Sequence, residues 1–320
     1  MEHVDIIFGV AWGDEGKGKI SARMAANYDF VCRFNGGNNA GHTFYINDQK
    51  VVTHLIPSGI CFGKKSIIGS NCVLNVNEFF KEIEYLDNLG FDTSLVKVSP
   101  KAHIVTDEHI EQDKKLFHKL LGTTAKGIGP CYSSKYSRTG IRAESVLDEK
   151  WIWDEKFYGK VLCEGAQSYW LDINEGSYPY VTSSECLPYS ACSLGFSPKK
   201  INEIIAVAKM YDTRSGYDPY FDLHNEETDL IIELGEEYGS TTGRKRSVKW
   251  LNFNKLYIAL QKSGATKLIL NKGDILEKAN IFKACIDDEI VQFSSMHEMK
   301  SELCNYLSDL DVAISFDFVK

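Results

Sequence analysis

Short apolar runs, broken by glycine-rich polar stretches, set the rhythm of this chain. Residues 5–10 (Asp-Ile-Ile-Phe-Gly-Val) read as a buried strand, and Ile20, Ala22, Met24 and Ala25 start a helix soon after. Residues 30–34, 51–57 and 66–69 read as further short strands. Phe79, Ile83 and Leu86 share one face of a helix that ends near Gly90. Thr106 caps another helix, with Ile110, Phe117 and Leu121 expected to face inward. Residues 122–142 are rich in Gly, Ser and basic side chains and read as a loop. Residues 160–164, 204–208 and 266–271 are buried strands, the last preceded by a helix through Leu256, Ala259 and Leu260. Such alternation predicts an α/β fold: a mostly parallel central sheet, helices on both faces, and ligand loops at the C-terminal ends of strands. No repeat or linker interrupts the pattern, so residues 1–320 are expected to form one domain.

Composition narrows the class. Of the 320 residues, 43% are hydrophobic and 25% charged, which suits a globular protein with an ample core. The net charge of −8 argues against nonspecific nucleic-acid binding, so anionic ligands would need locally gathered Lys and Arg. The nine cysteines are odd in number and include no CxxC pair, so neither a disulfide framework nor a zinc site is indicated. A reducing compartment is the natural setting. Met1-Glu2-His3-Val4-Asp5 lacks the regions of a signal peptide, and no apolar run approaches the ~20 residues of a membrane helix. The expected location is the cytoplasm, or the host cytoplasm for a viral chain, with no membrane and no nucleic acid as partner.

Candidate chemistry lies in the polar breaks. Gly13-Asp14-Glu15-Gly16-Lys17-Gly18-Lys19 joins the first strand to the first helix. Glycines let backbone approach an anion, and amides at a helix start point at it. The spacing fits a phosphate loop, with Ile20 where a magnesium-binding Ser or Thr is expected. An acid beside bound phosphates is repulsive unless it holds a metal or moves a proton; a tight turn with surface charges is the plain alternative. A second turn, residues 35–43, ends in His42-Thr43. A histidine there suits phosphate donation or proton transfer near neutral pH, or is a satisfied histidine with no such role. Residues 122–130, continuing to Lys135, Arg138 and Arg142, set hydroxyls and free amides beside cations, which suits a monophosphate or a flexible basic loop. Residues 239–246 (Gly-Ser-Thr-Thr-Gly-Arg-Lys-Arg) place three cations behind a turn, which suits a carboxylate or a solvated face. Asn271-Lys272-Gly273-Asp274 has the NKxD form of guanine readers, whose Asp accepts from the N1 and N2 protons while the Lys stem covers the ring. A chance turn of that spelling is the alternative.

Residues 12–19 followed by 35–43 resemble the adenylosuccinate synthetase family, and further matching blocks follow in order along almost the whole chain. That family joins L-aspartate to C6 of a purine nucleotide, using GTP. The resemblance implies Asp14, His42 and Lys17 as the catalytic group. Asp14 would take the N1 proton, the 6-oxyanion would attack the γ-phosphate to give a 6-phosphoryl intermediate, and His42 would stabilise the transferred group. It implies Mg2+ between Asp14, the Gly41 carbonyl and phosphate oxygens. It gives the purine nucleoside monophosphate to Asn39, Thr124, Arg138, Gln167 and Thr182, and L-aspartate to Thr242, Arg244 and Arg246. GTP falls to Gly13, Glu15, Gly16, Gly18, Lys19, Gly41, Thr43, Lys272 and Asp274. In the family the arginine matching Arg138 reaches the neighbouring subunit's nucleotide phosphate, which implies a homodimer with shared sites.

Departures from the family bear on the nucleotide. Ala125-Lys126 stands where Gly-Arg is usual, which loses any bidentate contact there. Residues 215–222 replace a Val-Gly-x-Gly-Pro-Phe-Pro-Thr loop, Glu185-Cys186-Leu187-Pro188 replaces a Thr-rich segment, and Val248-Lys249-Trp250 replaces a Gly before Trp. Residues 314–318 lack the Gly-Pro that helps hold guanine. Several of these traits resemble a short viral branch that uses dGMP, although many of its members replace the acid that stands here as Asp14. The expectation is a dGMP-using ligase giving N6-succino-2-amino-2′-deoxyadenylate, with IMP as the alternative. A guanine-nucleotide-binding regulator without ligase activity is the rival of another class, and a P-loop kinase is disfavoured by Ile20.

Overall fold

The computed structural model describes residues 1–46, 49–221, 225–239 and 243–318. Eight strands form the central sheet: β1 (His3–Gly9), β2 (Phe30–Arg33), β3 (Lys65–Ile68), β4 (Val96–Val98), β5 (Lys160–Ser168), β6 (Ile201–Lys209), β7 (Lys267–Asn271) and β8 (Ala313–Asp317). Their order is β8-β7-β6-β1-β5-β2-β3-β4, and every pairing is parallel. The helices that position the site or test the sequence reading are α1 (Lys17–Ala25), α2 (Val76–Asn88), α3 (Ile128–Ser137), α4 (Phe253–Ser263) and α5 (Gly273–Ala279).

The two-residue period of β6 explains the layering. Ile205 and Val207 pack with Ile20 and Ala25 of α1, while Ala206 and Ala208 pack with Leu256, Ala259 and Leu260 of α4 on the opposite face. Both faces are therefore dry, and a continuous apolar run replaces alternation. Asn252 caps α4 by accepting from the Lys255 amide at 2.8 Å, and left-handed Gly264 ends it.

Chain order reverses around β1. The chain runs from β1 outward through β2, β3 and β4, returns to insert β5 beside β1, then leaves on the other side through β6, β7 and β8. Open α/β sheets offer their ligand crevice at such a point, beyond the strand C-termini.

Some expectations need correction. Residues 122–142 are not all loop, because α3 runs through Ile128–Ser137. Ile128, Cys131 and Tyr132 fall at helical spacing on its buried face, a pattern hidden among the glycines and cations. Phe117 is 37% exposed rather than inward. A π-helical turn at Asp113–Phe117 advances the helical phase by a residue and carries that ring outward. The apolar run at 51–57 yields a strand over Gln49–Thr53, which pairs antiparallel with His42–Ile46 outside the central sheet. Among the described residues no helix is long and apolar enough to cross a membrane.

Candidate active site

The loop after β1 is held from below by one of its own acids. The buried Glu15 carboxylate accepts from the amides of Ala11 (3.2 Å) and Gly13 (2.9 Å) and pairs with Lys17 Nζ at 2.7 Å. Lys17 also donates to Ser168 at the end of β5 (3.2 Å), and Asn271 at the end of β7 donates to the Glu15 carbonyl (2.6 Å). Glu15 thus braces the loop and does not line the cleft, unlike the GTP contact the sequence implied. Gly13, Asp14, Gly16, Lys17, Gly18 and Lys19 do line it, in a cleft of about 1680 Å³.

Asp14 adopts a left-handed backbone (φ 61°), a conformation that costs a non-glycine residue of order 1 kcal/mol or more and recurs at functional sites. Its carboxylate turns into the cleft, where Arg246 Nη2 donates to Oδ1 (2.9 Å) and Ser215 Oγ donates to Oδ2 (2.5 Å). Arg246 is pinned from behind by Glu237 at 2.6 Å. Glu237 also receives both its oxygens' contacts from Lys209 Nζ at 2.9 Å and a hydrogen bond from Tyr211 (2.7 Å). Burial pushes the Glu237 carboxyl up, but Lys209 and Arg246 outweigh it and bring it down to about 2. It is anionic at neutral pH.

His42 begins the strand that leads away from the second turn. Beneath it Arg33, 1% exposed, donates to Glu164 at 2.7 Å and reaches His42 Nδ1 at 3.1 Å. Arg33 can only donate, so Nδ1 accepts and the proton sits on Nε2. Burial, aided by the Arg33 charge, lowers the His42 pKa to about 4 against the opposing pull of Glu164. His42 is therefore a neutral donor at neutral pH. Burial acts against ionised Glu164 as well, yet the Arg33 charge and the hydrogen bond from Ser21 (2.5 Å) hold its carboxyl well below the usual range. α1 reaches this strand through Gly18, where a Cβ would lie 2.6 Å from His42 Cβ.

The rest of the cleft gathers most of the remaining candidates. Asn39, Gly41, Thr43, Thr124, Gln167, Thr182, Lys272 and Asp274 all line it. Thr43 Oγ1 and Gln167 Oε1 are buried with no hydrogen-bond partner, which fits polar atoms awaiting a ligand. Lys272 (φ 63°) donates to the Gly235 carbonyl at 2.9 Å, and Asp274 pairs with Lys278 at 3.1 Å. Phe318 also lines the cleft and packs against Gly273, where an added Cβ would meet its ring at 2.1 Å. Eight Lys and Arg line the cleft against five Asp and Glu, so cations concentrate here on a chain of net charge −8.

Not every candidate is brought in. Arg138 is exposed at the left-handed C-terminal cap of α3, away from the cleft lining, and exposed Arg244 is also outside it. Thr242 lies outside the described residues. Sequence reasoning missed Ser215, Lys209, Glu237 and the Arg33–Glu164 pair. Ser215 opens the 215–222 segment already noted as a departure, and Lys209 closes a strand recognised as buried, so both positions were in view without a partner to reveal them.

Among the described residues no three His, Cys, Asp or Glu side chains gather as a metal cage. Asp14 and Gly41 both line the cleft, offering a carboxylate and a backbone carbonyl. Few protein oxygens suit Mg2+, which keeps several waters and takes phosphate oxygens as further ligands.

Residues 6–159 and 154–307 match the family model described as adenylosuccinate synthetase. The adenylosuccinate synthetase of Porphyromonas gingivalis is 37% identical, over 91% of this chain and 82% of the relative. The fully ligated adenylosuccinate synthetase from Plasmodium falciparum aligns with a TM-score of 0.85 at 28% identity, covering 100% of this chain and 98% of that one. A cyanophage S-2L succinoaminodeoxyadenylate synthetase, solved with dGMP and with dATP as an energy donor, aligns with a TM-score of 0.72 at 18% identity, over 96% and 99% of the two chains. At that identity the likeness speaks to the fold alone.

Proposed function

The chain belongs to the adenylosuccinate synthetase family, and from that premise we propose that it joins L-aspartate to C6 of IMP, using GTP. It is a carbon–nitrogen ligase. One observation carries the reading: Asp14, His42 and Arg246 converge with the phosphate loop on a single cleft. A guanine-nucleotide switch needs no cation placed for a substrate carboxylate beside a potential base.

Asp14 takes the N1 proton of the purine. The 6-oxyanion attacks the γ-phosphorus of GTP, and the bond to GDP breaks. His42 donates its Nε2 proton in a hydrogen bond to the transferred phosphoryl group, whose negative charge it meets as a neutral donor. Arg246 holds a carboxylate of L-aspartate while the amine displaces phosphate from C6. The products are the N6-succino nucleotide, GDP and phosphate. Asp14 and the Gly41 carbonyl would hold Mg2+, which neutralises phosphate charge when bound. Asp274 selects guanine in the donor through its N1 and N2 protons, with Phe318 beside it where other members carry Gly-Pro. Asn39, Thr124, Gln167 and Thr182 serve the monophosphate, and Arg138 the site of a second copy in a homodimer. One cytoplasmic domain spanning residues 1–320 completes the proposal.

The relative's name favours IMP, and so does the presence of Asp14. A second reading, dGMP, is favoured by Ser215-Gly216-Tyr217, which line the cleft where cellular members carry a different loop. Incubation with GTP, Mg2+, L-aspartate and either IMP or dGMP, followed by product absorbance, decides between them. We expect turnover with IMP at least about tenfold faster than with dGMP, a gap of about 1.4 kcal/mol. Preference for dGMP reverses the nucleotide assignment. Absence of turnover with both overturns the ligase reading in favour of a regulator.

A further inference from the structure

We propose that Glu237, clamped by Lys209, is the positioning residue that fixes Arg246 so that its outer edge exchanges Asp14 for a carboxylate of incoming L-aspartate. The inference rests on the reading above, in which Arg246 receives that carboxylate.

Glu237 and Arg246 are joined through the backbone as well as through their side chains. The Arg246 amide donates to the Glu237 carbonyl (2.9 Å), and Tyr238 and Lys245 form the adjacent antiparallel bridge. The Glu237 side chain is fully buried and bound on three sides, by Lys209, Tyr211 and Arg246. Lys209 is itself 4% exposed and also donates to Thr213 at 3.0 Å. This anchor commits only Nη1 of the guanidinium. The other edge, Nε and Nη2, faces Asp14.

That outer edge is incompletely used. Nη2 makes a hydrogen bond to Oδ1, but Nε, although 2.9 Å from Oδ2, is out of line and has no hydrogen-bond partner. A free carboxylate can approach a guanidinium edge squarely and take both donors. Asp14, tethered to its loop and shared with Ser215, does not. Exchange also conserves charge. Asp14 and Glu237 balance Lys209 and Arg246 in the free chain, and a substrate carboxylate taking the place of Asp14 keeps that balance while releasing Asp14 toward the purine. Removing the Glu237 charge would free the inner end of Arg246 and strengthen the hold of Asp14 on it. Both effects oppose the incoming carboxylate directly, while among the GTP residues Lys272 feels Glu237 only through space and less than Lys209 and Arg246 do.

The test is steady-state kinetics on Glu237→Gln and Arg246→Leu with each of the three substrates. For Glu237→Gln we expect KM for L-aspartate to rise about tenfold or more, with KM for GTP within about twofold, as the loss of one charged hydrogen bond implies. If Arg246→Leu raises the aspartate KM and Glu237→Gln does not, the positioning role is overturned and the reading of Arg246 stands. If Arg246→Leu leaves the aspartate KM unchanged, that reading itself fails. A Glu237→Gln protein whose three KM values rise together contradicts the proposal, since general loosening would do that. Should Glu237→Gln not fold, Tyr211→Phe removes one hydrogen bond to Glu237 and no charge; an aspartate KM raised about threefold supports the proposal, and an unchanged one overturns it.

Discussion

Burial over the Arg33–Glu164 pair decides the state of His42. The folded chain keeps the ring neutral down to about pH 4, while the unfolded chain protonates it near the ordinary 6.5. Between those values the unfolded state binds more protons, so stability rises with pH across the window. The contribution is complete above about pH 6.5 and is lost as pH falls toward 4, by about 3 kcal/mol in all. Urea unfolding at pH 7 and pH 4.5 should therefore show a loss larger by about 2 kcal/mol in the native chain than in His42→Gln. Equal losses would place the ring in a solvated, unperturbed setting. At this scale the sequence offered residue types but not their partners. Asp14 and Glu15 are adjacent acids in one loop, yet one faces the cleft and the other braces the loop from within. A left-handed φ at Asp14 separates them, and nothing in their spelling distinguishes the two roles.

At the scale of elements, α1 lies close against the strand His42–Ile46. Gly18 makes that approach possible. Gly18→Ala would gain about 1 kcal/mol in helix propensity. Its new Cβ would sit 2.6 Å from His42 Cβ and 3.1 Å from His42 Cα, and overpacking against a backbone neighbour costs about 1–3 kcal/mol. The clash outweighs the gain by about 1 kcal/mol, so thermal unfolding of Gly18→Ala should occur about 1–3 °C below that of the native chain. A higher midpoint would mean that α1 and the His42 strand can move apart freely. Elements with uniform apolar runs, such as β1, β5, β6 and β7, were legible because buried parallel strands need no alternation. α3 was not, since Gly127, Gly129 and Pro130 at its start mask the Ile128, Cys131, Tyr132 face. The π-helical turn at Asp113–Phe117 defeated a phase argument that assumed regular helix.

Across the whole molecule, alternation of strand and helix foretold an α/β fold with loops at the strand C-termini, but not the strand order. Insertion of β5 between β1 and β2 is a long-range choice that no local pattern records. That insertion brings Gln167 and Ser168 beside the loop after β1, while β6 and β7 deliver Lys209 and Asn271 from the other side. Motifs far apart in the chain thus surround one cleft, and its surplus of cations offsets the acidity of the chain as a whole. In the proposed reaction the C6 oxygen leaves as phosphate after attacking GTP. Turnover of IMP labelled with 18O at C6, with GTP, Mg2+ and L-aspartate, tests it most directly by mass spectrometry of the released phosphate. Each phosphate formed should carry one labelled oxygen. Phosphate carrying no label, with the succino nucleotide still produced, would contradict it.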